Sequence, residues 1–306
     1  MPDTALVTPS AATYVAETMA ATTPAITVVL PVHDGGADVE ACLATILPQA
    51  DAAGAEVIVV DDASTDGSGA RAERAGARVT RLGTRSGPYA ARNHGWRASG
   101  APVIVFTDVR NRAEAGWLDA LVAPFRDEGV AVAGGDVRVG GDDRIAHRLA
   151  RRQSHVDPRP LLADGYLPFV TTSSMAVRRR ALEAVDGFEA RRSGADADLC
   201  WRIQQAGEGA VVLAPGSTMV CEPRSSVRDV WRQWRRYAQA YVEVRSQHGN
   251  AAGALDNAGS MRCAVRDALR RTRSHPRDAV LEAADLVRVA GYELAYRRAR
   301  RRATQR

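Results

Sequence analysis

The sequence predicts an α/β protein with a mostly parallel, Rossmann-like sheet flanked by helices and a helical extension at its C-terminal end. Three observations carry this. Short, almost continuously apolar runs alternate with segments of helical spacing, the pattern of strands buried on both faces. Several runs end on acids, at the edge where such sheets bind ligands. The composition, 45% hydrophobic and 25% charged over 306 residues, is that of a globular chain. It excludes collagen, coiled coil and wholesale disorder.

The elements follow in order. Ile26–Leu30 is β-branched and apolar and is stopped by Pro31, which predicts a buried strand. Val39, Leu43, Ile46 and Leu47 place a helix over about 37–53. Glu56–Val60 reads as a second buried strand running into Asp61 and Asp62. A helix over 66–75, a strand near 79–82 and a helix over 88–99 come next. Pro102–Phe106 is another buried strand, ending at Thr107 and Asp108. A helix near 115–126 and a strand near 130–139 complete this half. In the second half, 169–177 reads as one or two strands and 178–184 as a helical turn or two. A helix enters through Asp196 and Asp198 and stops at Gly207. Two strands near 210–213 and 218–221 precede a long helix over 225–247, rich in Trp, Tyr and Arg. After a Gly/Ala/Asn-rich link over 249–260, two Arg-rich helices are split by His275-Pro276. The expected organisation is a leader over 1–24, an α/β domain over 25–225 and an Arg-rich helical extension over 226–306.

The charge is uneven. All 41 basic residues are arginine, so Schiff-base, P-loop and kinase-type lysine chemistry is excluded. From Arg262 to Arg306 there are 13 arginines and 5 acids. That tail carries +8, which leaves −3 of the net +5 for the preceding residues. The body is not a nucleic-acid binder on these grounds, and nucleic acid is not expected as a partner. A basic tail suits an anionic surface. Cys42, Cys200, Cys221 and Cys263 are isolated, which argues against zinc ribbons, redox pairs and a disulfide scaffold and for a reducing cytoplasm. No apolar run is long enough to span a bilayer. The first 24 residues carry no basic residue and read as a flexible leader, not a signal peptide.

Val28–Asp34, Val59–Ser68 with its Asp-Asp-Ala-Ser-Thr-Asp string, and Gly87–Gly95 with Ala-Arg-Asn at 91–93 resemble glycosyltransferase family two. So do Phe106-Thr-Asp108, Gly187-Phe188 and Asp196-Ala-Asp-Leu-Cys-Trp-Arg202. These motifs fall in family order over roughly 26–245, whereas no GxGxxG fingerprint follows any strand. The resemblance implies a GT-A fold and an inverting transfer of a sugar from a nucleotide donor to an acceptor hydroxyl. Such a displacement needs a base at the acceptor and charge stabilisation on the departing diphosphate.

Under this resemblance Asp61 and Asp62 form the nucleoside pocket, with Pro31, Val32, His33 and Asp34 as its neighbouring wall. A carboxylate there accepts from a base imide or ribose hydroxyl; the same residues also favour plain turns. Arg92 pairs with a phosphate, and Asn93 fixes the helix or the ribose. Asp196 matches the family's catalytic base, although Ala195 stands where a glutamate usually precedes it. Thr172, Ser173 and Asp198 fall where the family contacts the acceptor. Gln233, Arg236 and Tyr237 resemble the Gln-x-x-Arg-Trp motif of polymerising synthases, with Tyr for Trp. The aromatics Trp231, Trp234, Tyr237 and Tyr241 also share the spacing of a core-facing helix stripe, and Asp198 equally suits a helix cap.

Asp108 matches the first aspartate of the family's metal-binding Asp-x-Asp motif, but the third position is Arg110. A guanidinium cannot ligate a metal. No histidine occupies 221–222, where the family often has one. Three readings stay open: Arg110 meets the diphosphate in place of Mg or Mn, Asp108 recruits the metal with acids such as Glu222, or the site has lapsed. The expected cofactor is thus a nucleotide-sugar donor, with or without a divalent metal. The acceptor is a lipid, peptide or small molecule. The Arg-rich C-terminal helix makes an anionic membrane surface a further candidate partner, with the protein peripheral on its inner face. A catalytically lapsed nucleotide-sugar-binding partner of an active transferase is the alternative from another class. A nucleotidyltransferase is disfavoured, because no arginine or lysine lies between Ile26 and Asp38 to build its phosphate loop.

Overall fold

The computed structural model describes residues 25–153, 157–163, 166–224, 226–249 and 261–303. The leader and most of the 249–260 link lie outside the described residues. The strands are β1 (Ile26–Val32), β2 (Glu56–Asp61), β3 (Arg78–Arg81), β4 (Val103–Thr107), β5 (Asn111–Ala113), β6 (Val130–Val139), β7 (Ser174–Arg178) and β8 (Ala210–Cys221). They form one sheet in the order β3-β2-β1-β4-β7-β6-β8-β5. β3, β2, β1 and β4 run parallel, as do β6 and β8. β7 is antiparallel to both neighbours, and the short β5 is antiparallel to β8.

The helices are α1 (Asp38–Ala52), α2 (Ser68–Arg74), α3 (Pro88–Arg97), α4 (Trp117–Val122), α5 (Ile145–Gln153), α6 (Pro158–Leu162), α7 (Arg179–Ala184), α8 (Ala195–Gln205), α9 (Val227–Gln247), α10 (Met261–Ser274) and α11 (Ala279–Ala303). Alternate strand residues feed two cores. Val29, Ile58, Val60, Ile104 and Phe106 pack toward α3 and α8. Val28, Leu30, Val57, Val59 and Val105 pack toward α1 and α4.

Three local expectations change. β1 does not stop at Pro31 but continues to Val32. The β1–β4 ladder ends at Val29 and Phe106. Val32 accepts from Asp62 on the β2 side, so Pro31, one residue back, turns its missing N–H to the side the ladder has already left. The segment before β7 is not strand, and β7 begins only at Ser174. The two strands expected on either side of Pro215-Gly216 are one strand, β8. It absorbs the interruption as a bulge between Ala214, opposite Gly135, and Thr218, opposite Asp136.

Candidate active site

Parallel strands β1, β2 and β4 end at the same edge of the sheet, so their terminal acids meet there. Asp61 is buried and accepts the Ser64 N–H at 2.9 Å. Asp62 is buried too, and its two oxygens accept the Ser86 and Gly87 N–H groups at 2.6 and 2.8 Å. Gly87 has φ +91°, a conformation open to glycine, and opens α3 directly ahead of Pro88. His33 Nδ1 lies 2.8 Å from the Asp62 carbonyl oxygen. Asp34 accepts from Thr65 at 2.8 Å. Pro31 and Val32 complete this wall as the last turn-ward residues of β1.

α3 carries Arg92 into the interior at 3% exposure. Its Nη2 donates to Asp108 Oδ1 at 2.5 Å, and Ser173 Oγ donates to the other Asp108 oxygen at 3.3 Å. The Arg92 guanidinium also lies 5.3 Å from the Tyr89 ring centre. Asn93 faces elsewhere. Its amide donates to the Phe188 carbonyl and accepts from the Phe188 N–H and the Trp96 indole. It therefore bolts α3 to the Gly187-Phe188 turn, the helix-fixing half of its expected role.

Asp196 enters α8 at its first turn. Tyr89 Oη donates to Asp196 Oδ1 at 3.5 Å, and the Ala197 N–H donates to the same oxygen at 3.2 Å. Burial raises the Asp196 pKa above the ordinary carboxylate value, and the negative Asp108 adds to this, while Arg92 opposes it. Burial also lifts Tyr89 well above the usual phenol range, with Asp196 and Asp108 contributing and Arg92 opposing. Tyr237, on α9, is pushed up to about 12, first by burial and then by the same two carboxylates, against the Gln233 hydrogen bond. Gln233 Nε2 donates to Tyr237 Oη at 2.6 Å. Asp196, Asp108, Arg92, Tyr89 and Tyr237 thus belong to one electrostatic centre.

Asp198 is not part of it. It is 1% exposed and closed in by Arg202 at 2.8 Å, Arg191 at 3.5 Å and His248 Nε2 at 3.0 Å. Two residues along a helix point some 200° apart, so the expected acceptor contact becomes a buried ionic hub. Thr172 and Ser173 are buried, and Ser173 reaches Asp108. Of the aromatic stripe, Trp231 donates to the Ala284 carbonyl of α11, and Trp234 packs with Val230, Leu149 and Leu281. Tyr237 of the stripe is coupled to Asp196 and Asp108.

The other wall comes from β8 and α9. The Glu222 N–H donates to the Arg110 carbonyl at 2.8 Å, which fixes the Arg110 loop against the end of β8. Arg110, Glu222, Arg224, Gln233 and Trp234 line one cleft. The Arg224 pKa is lowered, chiefly by loss of water and then by the positive charges of Arg110 and Arg236. Arg224 Nε is buried with no hydrogen-bond partner. Among the described residues none of these three guanidiniums pairs with a carboxylate. Like charges held together and unpaired form a site for an anion.

Tyr89 and Arg224 are the residues sequence reasoning missed. Tyr89 had a signal, because it lies three residues before Arg92 in the Gly87 string and so on the same helix face. Arg224 had none, since it sits in no motif and reaches the site only through the sheet order.

Asp108, the retained carboxylate of the metal-binding motif, is already engaged by protein groups. Arg92 and Ser173 occupy the Asp108 oxygens, Arg110 fills the partner position, and no group of three potential metal ligands forms among the described residues.

Residues 27–186 match the model of Glycosyl transferase family 2, and residues 143–273 match Glycosyl transferase family group 2. The pre-mycofactocin glycosyltransferase of Mycobacterium tuberculosis is 30% identical over 217 residues, 67% of this chain and 44% of that protein. The chain thus spans less than half the length of that relative. The mannosyltransferase of Pyrobaculum calidifontis, solved in complex with GDP-Man and Mn2+, superposes with a TM-score of 0.59 at 21% identity over 90% of this chain and 88% of that one. Glucosyl-3-phosphoglycerate synthase of Mycobacterium tuberculosis, solved with Mn2+, UDP-Glc and phosphoglyceric acid, gives 0.56 at 24% identity over 74% of this chain and 80% of that one. Those two likenesses concern the fold, which is GT-A. With the family model covering more than half of the sequence, and the strand-end acids gathered at one sheet edge, the chain belongs to glycosyl transferase family 2.

Proposed function

We propose that the protein is an inverting glycosyltransferase using a pyrimidine or guanine nucleotide sugar. Residues 25–225 form its catalytic domain and 226–306 its extension. One observation carries the reading: Asp196, a carboxylate of raised pKa, shares one centre with Asp108 and Arg92, at the sheet edge where the unpaired arginines also gather. The acceptor hydroxyl oxygen attacks the anomeric carbon and Asp196 takes its proton. The bond to the diphosphate breaks, and the diphosphate leaves with the electron pair. Arg110 meets that charge in place of a metal, with Arg224 and Arg236 beside it. Asp61 and Asp62, with Pro31–Asp34, hold the nucleoside. The named relatives support this class: one is a glycosyltransferase, and the two solved structures hold GDP-Man or UDP-Glc. The acceptor is a lipid, peptide or small molecule.

The test is thermal shift with UDP, GDP, dTDP and their sugars, each in manganese and in EDTA. Binding to the native state alone raises the midpoint. A base-selective rise that survives EDTA is expected; a rise only with manganese refutes the arginine substitution, and no rise with any nucleotide refutes the donor pocket. The Asp108–Arg92 ion pair also favours a second reading, a nucleotide-sugar-binding protein without turnover. Binding without donor hydrolysis or transfer to any supplied acceptor class separates it from the first.

A further inference from the structure

Six large hydrophobic side chains are exposed among the described residues, and five of them lie on α10 and α11. On α11, Val280, Val287 and Leu294 are 62, 51 and 51% exposed. Ala283 and Ala290, also exposed, fall between them. The spacing alternates three and four, so these five residues form one stripe along the helix, about 20 Å long. Arg297, Arg298 and Arg301 continue it at the exposed C-terminal end. α10 adds Val265 and Leu269, one turn apart and 38 and 57% exposed. The inward side of α11 is a different set: Leu281, Ala295 and Tyr296 are buried against α5 and α9.

The acids of the two helices are turned away or neutralised. Glu282 is buried against Arg152 and Arg271, and Asp285 against Arg288. Asp278 pairs with Arg148, Glu293 with Arg297, and Asp267 with Arg266. What remains outside is apolar surface bordered by arginine.

We infer that this face of the α10–α11 pair docks on an anionic lipid bilayer. α11 would lie in the interfacial plane with Val280, Val287 and Leu294 inserted below the headgroups and the arginines at phosphate level. Charge selects lipid over a second copy of the chain. A parallel pairing of two stripes would set Arg297–Arg302 against itself, and an antiparallel one would set it against Arg277 and the arginines of α10, while the acids nearby, Asp267, Asp278 and Glu293, are each already paired with an arginine. The inference does not depend on the proposed sugar transfer, and its test uses no donor.

The experiment is co-sedimentation of the full chain with vesicles of phosphatidylcholine alone and of phosphatidylcholine with one-third phosphatidylglycerol, at low and high salt. The expected result is binding to the anionic vesicles only, weakened by salt. Replacing Arg297→Gln, Arg298→Gln and Arg301→Gln together should lower the partition coefficient roughly a hundredfold. Val287→Glu with Leu294→Glu should abolish binding. Both variants change exposed positions, so circular dichroism and the nucleotide-induced thermal shift should match wild type. No vesicle binding, equal binding to neutral vesicles, or a concentration-dependent dimer in light scattering that Leu294→Glu dissolves would each overturn the inference; the last would assign the stripe to a second copy.

Discussion

Asp196 stands between opposed influences: burial and the Asp108 charge hold its proton on, while the Ala197 N–H and Arg92 draw it off. The net pKa is raised, and the sign has two consequences. As a base the group works only when ionised, so kcat/KM should climb with pH through a value above the ordinary carboxylate range. For stability, the native state keeps the proton where the unfolded chain has lost it. Stability therefore falls as pH rises from the ordinary aspartate pKa to the raised one, and is flat beyond it. Asp196→Asn removes the charge and keeps the shape. It should lower kcat about 10²–10⁴-fold and raise the thermal midpoint at neutral pH. Normal turnover in that variant would refute the base. Arg224 carries a parallel conflict, because its neighbours Arg110 and Arg236 repel it and its Nε has no partner. Arg224→Ala should weaken nucleoside diphosphate binding about tenfold or more, read by calorimetry in EDTA, while the midpoint without ligand does not fall. An unchanged affinity would remove Arg224 from the diphosphate site.

The element that sets this geometry is α3. It is fixed at its start by Asp62 and at its middle by Asn93, and it rides close on the sheet at Gly95. A Cβ there would sit 2.4 Å from Val29 and 3.0 Å from Val60, both in the core. Gly95→Ala should cost about 1–3 kcal/mol in urea unfolding and displace Arg92 from Asp108, lowering activity further than the stability loss accounts for. Unchanged stability would mean that α3 can lift without strain. Elements differ in how openly the sequence announces them, and the reason is burial. β1, β2 and β4 are covered on both faces and read as unbroken apolar runs. The direction of β7 has no local signature, because it depends on which way the chain returns past α6. β8 reads as two strands, since Pro215-Gly216 hides its continuity. α5 escapes a sequence reading altogether: its buried face is only Ala146, His147, Leu149 and Ala150, too thin to stand out among arginines.

At the scale of the whole molecule, half of the candidate site was legible and half was not, and the division follows the sheet. Asp61, Asp62, Asp108 and Asp196 sit in strings whose order along the chain follows the motifs of the family. The seating of Tyr237 and the closure of Asp198 by His248 depend on α9 packing across α8, and the place of Arg224 depends on the pairing of β5 with β8; no local pattern encodes either. α9 therefore serves two parts of the protein at once. One side carries Gln233, Arg236 and Tyr237 to the site, and the other packs Ala238 and Val242 on Ala295 and Tyr296 of α11. Tyr296 is 1% exposed, so Tyr296→Ala should cost roughly 3–5 kcal/mol by leaving a cavity. If the seam positions α9, the same variant, assayed well below its melting temperature, should also bind nucleoside diphosphate more weakly than wild type, although Tyr296 itself belongs to the α9–α11 core. Its α9 is still held on its other flank, where Ala240 and Val244 approach Gly194 at the head of α8. A variant that loses stability but keeps full diphosphate affinity would show that this flank alone places Arg236, and that the extension is mechanically separate from the site.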